Sequence, residues 1–115
     1  MANVSLMQQI TGYLEVTNQR QQKIAANMAN VDTPGYHTQD IDFQKAMQTV
    51  VDRGDATMEP ASIDVEGLPE RPDGNNVNID RESMMLSQTQ LQYQMGVELI
   101  KAEFHKLLTA IKEGS

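Results

Sequence analysis

The sequence predicts a mainly all-α fold in which long N- and C-terminal helices pair as an antiparallel coiled coil around a short irregular or weakly β middle segment. Three observations support this fold class. Each end of the chain carries apolar residues at alternating spacings of three and four, the period of a coiled-coil seam. Glycine and proline cluster in residues 52–76, where they rule out a long regular element. Aromatic residues make up only 4% of the 115 residues, too few for a large independent core.

The first long helix is predicted over residues 4 to about 31. A helix of this length spans about 40 Å. The polar positions of its seam either fix the register or face solvent in a looser packing, and the sequence leaves both interpretations open. The seam follows the three-four spacing without a break: Met7, Ile10, Leu14, Thr17, Gln21, Ile24, Met28 and Val31.

The second long helix is predicted over residues 80 to about 112, with Asp80 as its N-cap. Its seam consists of Leu86, Gln90, Tyr93, Val97, Ile100, Phe104, Leu107 and Ile111. A parallel stripe widens the apolar surface with Leu91, Met95, Leu99 and Ala102. Because this surface is too broad for one partner helix, we expect the second helix to touch more than one neighbour.

The middle of the chain contains two short predicted elements. Residues 40–51, "DIDFQKAMQTVV", predict a short helix capped by Asp40 or Asp42. The segment "ASIDVEG" alternates weakly in hydrophobicity and predicts one short strand. The chain therefore divides into an N-terminal helix and turn (1–36), a short helix with an extended acidic loop (37–76), and a C-terminal helix (77–115).

Bulk composition narrows the classes of function. The net charge of −7 argues against nucleic acid as a partner. The absence of cysteine excludes disulfides and thiolate metal sites. No apolar run is long enough to predict a membrane span, and the first residues do not resemble a cleaved signal peptide.

The sequence offers little for catalysis or metal binding. The only histidines are His37, in a predicted loop, and His105, on the second helix. The stretch "DGNNVNID" departs from a calcium loop at two required positions, so a turn followed by a helix cap is the preferred interpretation. We expect no enzyme activity, no cofactor and no metal.

The stretch "AANMANVDTPGY" predicts an abrupt, directed chain reversal after the first helix. Asn30 is expected to end the helix in the left-handed conformation. Thr33 precedes a proline and is therefore pushed out of the helical region. Pro34 and Gly35 suit the two central positions of a type II turn before Tyr36. Asn27 lies on the same helical face as Asn30, and local physics alone gives it no role.

Two stretches resemble a known family. "ANMANVDTPGY" closely resembles the N-terminal signature of bacterial flagellar rod, hook and hook-filament junction proteins, which is roughly ANxANxxTPGY. "DGNNVNIDRE", followed by a helix with "LQYQ", is similar to the C-terminal signature of the short rod proteins. Together they cover about residues 3–50 and 73–112. Chain length, the small middle and the ending "FHKLLTAIKEG" are most like those of the proximal rod proteins. Among these, FlgC is the less similar candidate, because it usually has a longer chain and a different C-terminal ending.

The resemblance implies a structural subunit of the flagellar basal body rod. Family members pair their terminal helices and stack them into a tube that crosses the periplasm and transmits torque from motor to hook. The implied partners are further copies of the chain, the rod proteins FlgC, FlgF and FlgG, the rod-base adaptor FliE, and the flagellar type III export apparatus. Export without a cleaved signal is also implied. A free-standing coiled-coil adaptor or export chaperone is the alternative class.

The resemblance also assigns expected sites. Early export substrates of the family carry a Phe-x-x-x-hydrophobic gate motif, which Phe43 and Met47 fit. The expected joint consists of Asn27, Asn30, Thr33, Pro34, Gly35 and Tyr36. We expect an assembly interface in which the first helix packs on the second through Met7, Ile10, Leu14, Ile24, Met28, Tyr93, Val97, Ile100, Phe104, Leu107 and Ile111.

Overall fold

The computed structural model describes residues 4–57 and 60–114. Two long helices dominate it, so the predicted mainly all-α fold is confirmed. Between them lie a short helix and a two-stranded sheet. The elements in chain order are α1 (Leu6–Ala29), β1 (Gln39–Ile41), α2 (Phe43–Arg53), β2 (Ser62–Asp64) and α3 (Ile79–Glu113).

The helices α1 and α3 pack against each other in opposite directions. Near the middle of α1, Leu14 lies against Gly96, so closely that a Cβ on this glycine would be 2.6 Å from Leu14 Cδ2. At the end of α1, Asn27 Nδ2 lies 3.1 Å from Glu82 Oε2. Residues later in α1 therefore contact residues earlier in α3, so the two helices are antiparallel. Because α3 has 35 residues and α1 has 24, α3 extends past the first turn of α1.

A small apolar core lies where α1 meets α2 and the sheet. It consists of Val16, Ile41, Ala46 and Val50, each at most 5% exposed. Of the two caps predicted for α2, Asp40 and Asp42, the structure has Asp42, which accepts a hydrogen bond from Lys45 N at 3.1 Å. Because this core combines residues of α1, β1 and α2, it holds the middle segment against α1.

The middle segment forms a two-stranded antiparallel sheet. Asp40 of β1 pairs with Ile63 of β2. The predicted strand in "ASIDVEG" is confirmed as β2, whereas β1 was not predicted. The strand β1 has only three residues, and only its last residue, Ile41, is buried. Such a short segment has too little periodicity to show from sequence whether it is a strand or the start of the segment that leads into α2.

Two predicted helix ends are wrong in detail. The N-cap of α3 is Asn78, whose side chain accepts from Arg81 N at 3.1 Å, and Asp80 lies inside the first turn. Asn30 caps α1 with φ −103 and ψ 19, so it is not left-handed. The Asn30 backbone N–H donates to the Ala26 and Asn27 carbonyls and its side chain donates to the Ala26 carbonyl, so the helix ends without a left-handed residue.

Candidate functional site

The chain leaves α1 through a hydrogen-bonded cap. Asn30 Nδ2 donates to the Ala26 carbonyl at 2.8 Å, and the Asn30 backbone N–H donates to the same carbonyl at 3.1 Å. Asn30 Oδ1 accepts from the Thr33 hydroxyl at 3.0 Å, and Thr33 N donates to the Asn30 carbonyl at 3.0 Å. One asparagine therefore holds both the last helical turn and the first residues after it.

A tight turn follows the cap. Tyr36 N donates to the Thr33 carbonyl at 3.2 Å, and Gly35 has φ +75. A positive φ at the third of four turn residues, after a proline, is the pattern of a type II turn. The turn predicted at Pro34 and Gly35 is confirmed, and it points the Tyr36 side chain back along α1.

The C-terminal signature, residues 73–82, packs directly on this turn. Gly35 N donates to the Asp73 carbonyl at 2.9 Å, and Asn76 N donates to the Tyr36 carbonyl at 3.3 Å. The two signatures are separated by 36 residues of sequence, and these backbone bonds join them into one unit. We call this unit, residues 26–39 with 71–82, the joint.

Asn75, inside the joint, connects the end of α1 and the turn to the segment that precedes α3. Its side chain is fully buried. Its Nδ2 donates to the carbonyls of Asn30 at 2.9 Å and Thr33 at 2.8 Å, while its Oδ1 accepts from Val77 N at 2.8 Å. Through these three hydrogen bonds, the buried amide fixes the end of α1 relative to the segment that precedes α3.

Its neighbour Asn76 holds the chain leaving the turn. Asn76 Oδ1 accepts from Thr38 N at 2.7 Å and from the Thr38 hydroxyl at 2.9 Å. Thr38 has no exposed surface, and Asn76 is 7% exposed. Burying these polar groups is tolerable because each is paired.

Asn27 occupies the centre of the joint and uses its full hydrogen-bonding capacity. It donates to the Gln39 carbonyl at 2.8 Å and to Glu82 Oε2 at 3.1 Å. It accepts from the Tyr36 hydroxyl at 3.0 Å and from Gln39 N at 3.0 Å. An amide side chain offers two donors and an acceptor oxygen with two lone pairs, and here each finds a partner. Asn27 thus connects α1, the turn, β1 and α3.

Glu82 supplies a buried charge to the same network. Its side chain has no exposed surface, and Oε1 accepts from Arg81 Nη1 at 2.7 Å. The pairing with Arg81 and Asn27 compensates for the loss of water around the carboxylate. Burial raises the pKa of the Tyr36 phenol, and the Glu82 carboxylate raises it further.

Curated relatives match this chain along most of its length. No family model matches it. The flagellar basal body rod protein FlgB of Escherichia coli (strain K12) is 32% identical, covering 89% of each chain. The proteins of the same name from Salmonella typhimurium and Aeromonas hydrophila are 32% and 30% identical, covering 89% and 86% of each chain. The chain belongs to the FlgB family of flagellar basal body rod proteins.

Membership in the FlgB family confirms the expected class, a structural protein of the basal body rod. The residues that carried the resemblance are those of the joint. Asn27, Asn30 and the Thr33–Tyr36 turn were predicted from the sequence as parts of this joint, with contacts across it expected for Asn27 and Asn30 but without named partners. Asn75 and Glu82 were not predicted, and their signal in the sequence is only an asparagine pair before α3 and an acid in its first turn.

The candidate gate residues Phe43 and Met47 are partly buried in this FlgB-family chain. Both pack against the small apolar core. The Phe43 ring lies edge-on to Tyr13, with centroids 6.1 Å apart, and the Arg20 guanidinium lies 5.5 Å from its centroid. Arg20 also pairs with Asp40 through bonds of 3.1 and 2.9 Å. The fold thus gives this motif a structural role beside α1.

The residues expected at the assembly interface divide into three groups by exposure. Ile10 and Ile24 are buried inside the chain, whereas Met7, Leu14, Met28, Val97 and Ile100 are half-buried. The α1–α3 register places Ile24 and Met28 beside the start of α3, so their expected packing against its later residues is not formed within one chain. The exposed members are Tyr93, Phe104, Leu107 and Ile111.

Within residues 4–57 and 60–114, both histidines lie at the surface. His37 Nε2 lies 3.0 Å from Glu70 Oε1 on the surface, and His105 is exposed on α3. Within this described part, no three metal-ligating side chains of the His, Cys, Asp or Glu type come together. None of its helices is long and apolar enough to cross a membrane.

Removing the Asn27 side chain tests the centre of the joint. In Asn27→Ala, the buried Glu82 carboxylate and the backbone of Gln39 lose partners. We expect a loss of about 3 kcal/mol in unfolding free energy, since each unsatisfied buried group costs about 1–3 kcal/mol. Urea unfolding followed by circular dichroism measures it. Asn18→Ala, at an exposed position of the same helix, is the control, and equal losses in both variants contradict the assignment.

The raised Tyr36 pKa gives a pH-dependent prediction. Tyr36→Phe removes one hydrogen bond to Asn27 and is expected to cost about 1 kcal/mol at pH 7. A raised pKa in the folded state means that the neutral phenol stabilises the fold below the unfolded pKa of about 10 and that this contribution is lost at higher pH. The stability difference between the natural chain and Tyr36→Phe should therefore be constant up to about pH 9 and shrink above pH 10. A difference that grows with pH would contradict this.

Proposed function

We propose that this chain is a structural subunit of the proximal flagellar rod, which polymerises into the periplasm-spanning drive shaft and transmits torque from motor to hook. It has no active site in this role. Its membership in the FlgB family supports the proposal. The single structural observation that carries it is the apolar surface of α3 that no other described residue of the chain covers.

This surface lies on two parts of α3. At 100° per residue, Leu91 lies nearly opposite Gly96, which faces α1, and Met95 and Leu99 continue from it in steps of four residues along the flank of α3. These three leave 55–59% of their surface exposed. We call them the outer stripe. The second part is the last three turns of α3, where Phe104, Leu107 and Ile111 are exposed. Full burial of such a side chain contributes roughly 1.5–3 kcal/mol, which favours packing against further subunits.

The subunit's partners in this role are further copies, the rod proteins FlgC, FlgF and FlgG, and the adaptor FliE. It reaches the periplasm through the flagellar type III export apparatus. Phe43 and Met47 serve as the gate motif before folding. Because the folded chain packs both against its core, the export apparatus reads them on the unfolded chain.

The joint sets the direction in which the middle segment leaves the helical pair. A polymer requires every copy to turn at the same point and in the same direction. Directional hydrogen bonds meet this requirement better than apolar contacts, because their geometry fixes both distance and angle. The network around Asn27 and Asn75 therefore acts as the assembly joint, and residues 37–76 reach neighbouring subunits.

Charges placed on the outer stripe test the proposed function. Leu91→Asp with Met95→Asp removes apolar contact area and places two charges in an interface that must exclude water. We expect the purified variant to keep its helical circular dichroism but to fail to restore swimming in cells that lack the native chain. Gln90→Asp with Gln94→Asp adds the same charges at exposed polar positions of α3 and should restore swimming. Normal rods in the stripe variant would overturn the proposal.

The turn can be tested independently of the apolar surface. Pro34→Ala with Gly35→Ala replaces a residue at φ +75, where a side chain costs roughly 1–2 kcal/mol. We expect export to persist, measured as secreted protein, while rod assembly fails because the chain leaves α1 in the wrong direction. Pro34→Ala alone keeps the glycine and should assemble. Normal swimming of the double variant would show that the turn is not an assembly element.

A further inference from the structure

The segment that precedes α3 contains a chemically reactive pair, Asp73 followed by Gly74. The backbone nitrogen after an aspartate attacks the aspartate side chain most readily when the next residue is glycine, because glycine has no Cβ to hinder the approach. Of the seven glycines in the chain, only Gly74 follows an aspartate or an asparagine. This pair is therefore the least hindered place in the sequence for such a reaction.

The reaction rearranges the link between the two residues. The Gly74 nitrogen forms a bond to Cγ of Asp73 and loses its proton, while the carboxyl group loses its hydroxyl, so one water leaves and a cyclic succinimide forms. Water then adds to the original Asp73 carbonyl carbon and breaks its bond to the nitrogen. The product is an isoaspartyl residue, whose main chain runs through Cβ and Cγ. The net change is an isomerisation that consumes no oxidant and no cofactor.

The geometry of the joint requires both members of this pair. Gly74 has φ +84, a conformation that residues with a side chain rarely adopt. A Cβ on Gly74 would also lie 3.4 Å from Gly35 Cα, so the turn after α1 approaches it closely. Asp73 Oδ1 accepts a hydrogen bond from Asn75 N at 3.0 Å, which shapes the chain before the buried amide. The reactive sequence is thus a consequence of how the joint is built.

The closed joint holds the groups that the reaction must move. Gly74 N, the attacking nitrogen, donates to the Arg71 carbonyl at 2.8 Å. The Asp73 carbonyl accepts from Gly35 N at 2.9 Å, and the Asp73 carboxylate accepts from Asn75 N. Ring closure requires the nitrogen to give up its bond to Arg71 and to turn toward the carboxyl group. The reaction therefore requires the joint to open first.

We propose that Asp73 is an isomerisation site that the closed joint protects, and that a chain isomerised at Asp73 cannot close the joint. The isoaspartyl link adds one main-chain atom between Asp73 Cα and Gly74. In the intact chain, Gly35 N bonds to the Asp73 carbonyl and Asn76 N bonds to the Tyr36 carbonyl, which fixes the register of the two segments. With the extra atom between them, these two bonds cannot form together. The joint thereby separates intact chains from isomerised ones.

Incubation of the purified full chain with and without denaturant tests the protection. An isoaspartyl methyltransferase with labelled S-adenosylmethionine measures the isoaspartate, and mass spectrometric fragmentation of proteolytic peptides locates it. We expect isomerisation at Asp73 to be at least about ten-fold slower in the folded chain, because only the open joint reacts. In denaturant, Gly74→Ala should react at least about five-fold more slowly than the natural chain, since its Cβ hinders the attack. Equal folded and unfolded rates, or no isoaspartate at Asp73 in denaturant, would overturn the proposal.

Loosening the joint by substitution provides a second measurement. Asn75→Ala removes the side chain that bonds to the Asn30 and Thr33 carbonyls. Without denaturant, we expect isomerisation at Asp73 at least about five-fold faster than in the natural chain, because the joint opens more often. Asn18→Ala, at an exposed position of α1, should leave the rate unchanged. An unchanged rate in Asn75→Ala would show that the joint is not what protects Asp73.

The second half of the proposal is tested on the natural chain, so it requires no variant to fold. Chains isomerised in denaturant are separated by chromatography and returned to native buffer. Hydrogen exchange is then measured at the Gly35 and Asn76 amides, which donate across the joint. We expect exchange at both to be at least about ten-fold faster than in the intact chain, because the joint stays open. Equal protection in the two chains would show that isomerisation does not prevent closure.

Discussion

The rest of the structure depends on the hydrogen bonds of Asn27. This side chain sits on the last full turn of α1 and is 1% exposed. It joins α1 to the turn and to β1, which follow within 12 residues, and to Glu82 on α3, which is 55 residues away in sequence. A buried polar group of this kind is stable only when all its partners are in place. The position of the turn, the entry to the sheet and the start of α3 are therefore specified together.

The same constraint explains why the helix end is so elaborate. A glycine in the left-handed conformation would stop α1 with fewer residues. Asn30 instead places its carbonyl where Asn75 donates to it, and its side chain accepts from Thr33. The cap thus stops the helix and also binds the segment that begins α3. A helix stop made only from local bonds could not align two segments that are 45 residues apart.

Features that depend on neighbouring residues could be predicted from the sequence, whereas contacts between residues far apart in the chain could not. The helices were predictable because a three-four spacing reports a local periodicity, and both observed helices end within two residues of their predicted bounds. The turn at Pro34 and Gly35 was predictable because its signal lies within four residues. Glu82 was not recognised as a buried group, because an acid in a first helical turn has a sufficient local explanation. Its contact with Asn27 spans 55 residues, and no single-sequence pattern encodes that distance.

The molecule separates orientation from affinity. The polar groups of the joint are satisfied within one chain, so a neighbouring subunit has little to add to Asn27 or Asn75. The exposed apolar groups of the outer stripe and of the last three turns of α3 have no such partners in the described chain, and their burial is favourable against almost any apolar surface. Apolar burial alone would therefore hold subunits together in many relative orientations. A rigid, hydrogen-bonded joint restricts these orientations, because it fixes where the middle segment lies relative to both helices. In the proposed rod, the joint would select the geometry and α3 would provide the binding energy, so neither can substitute for the other.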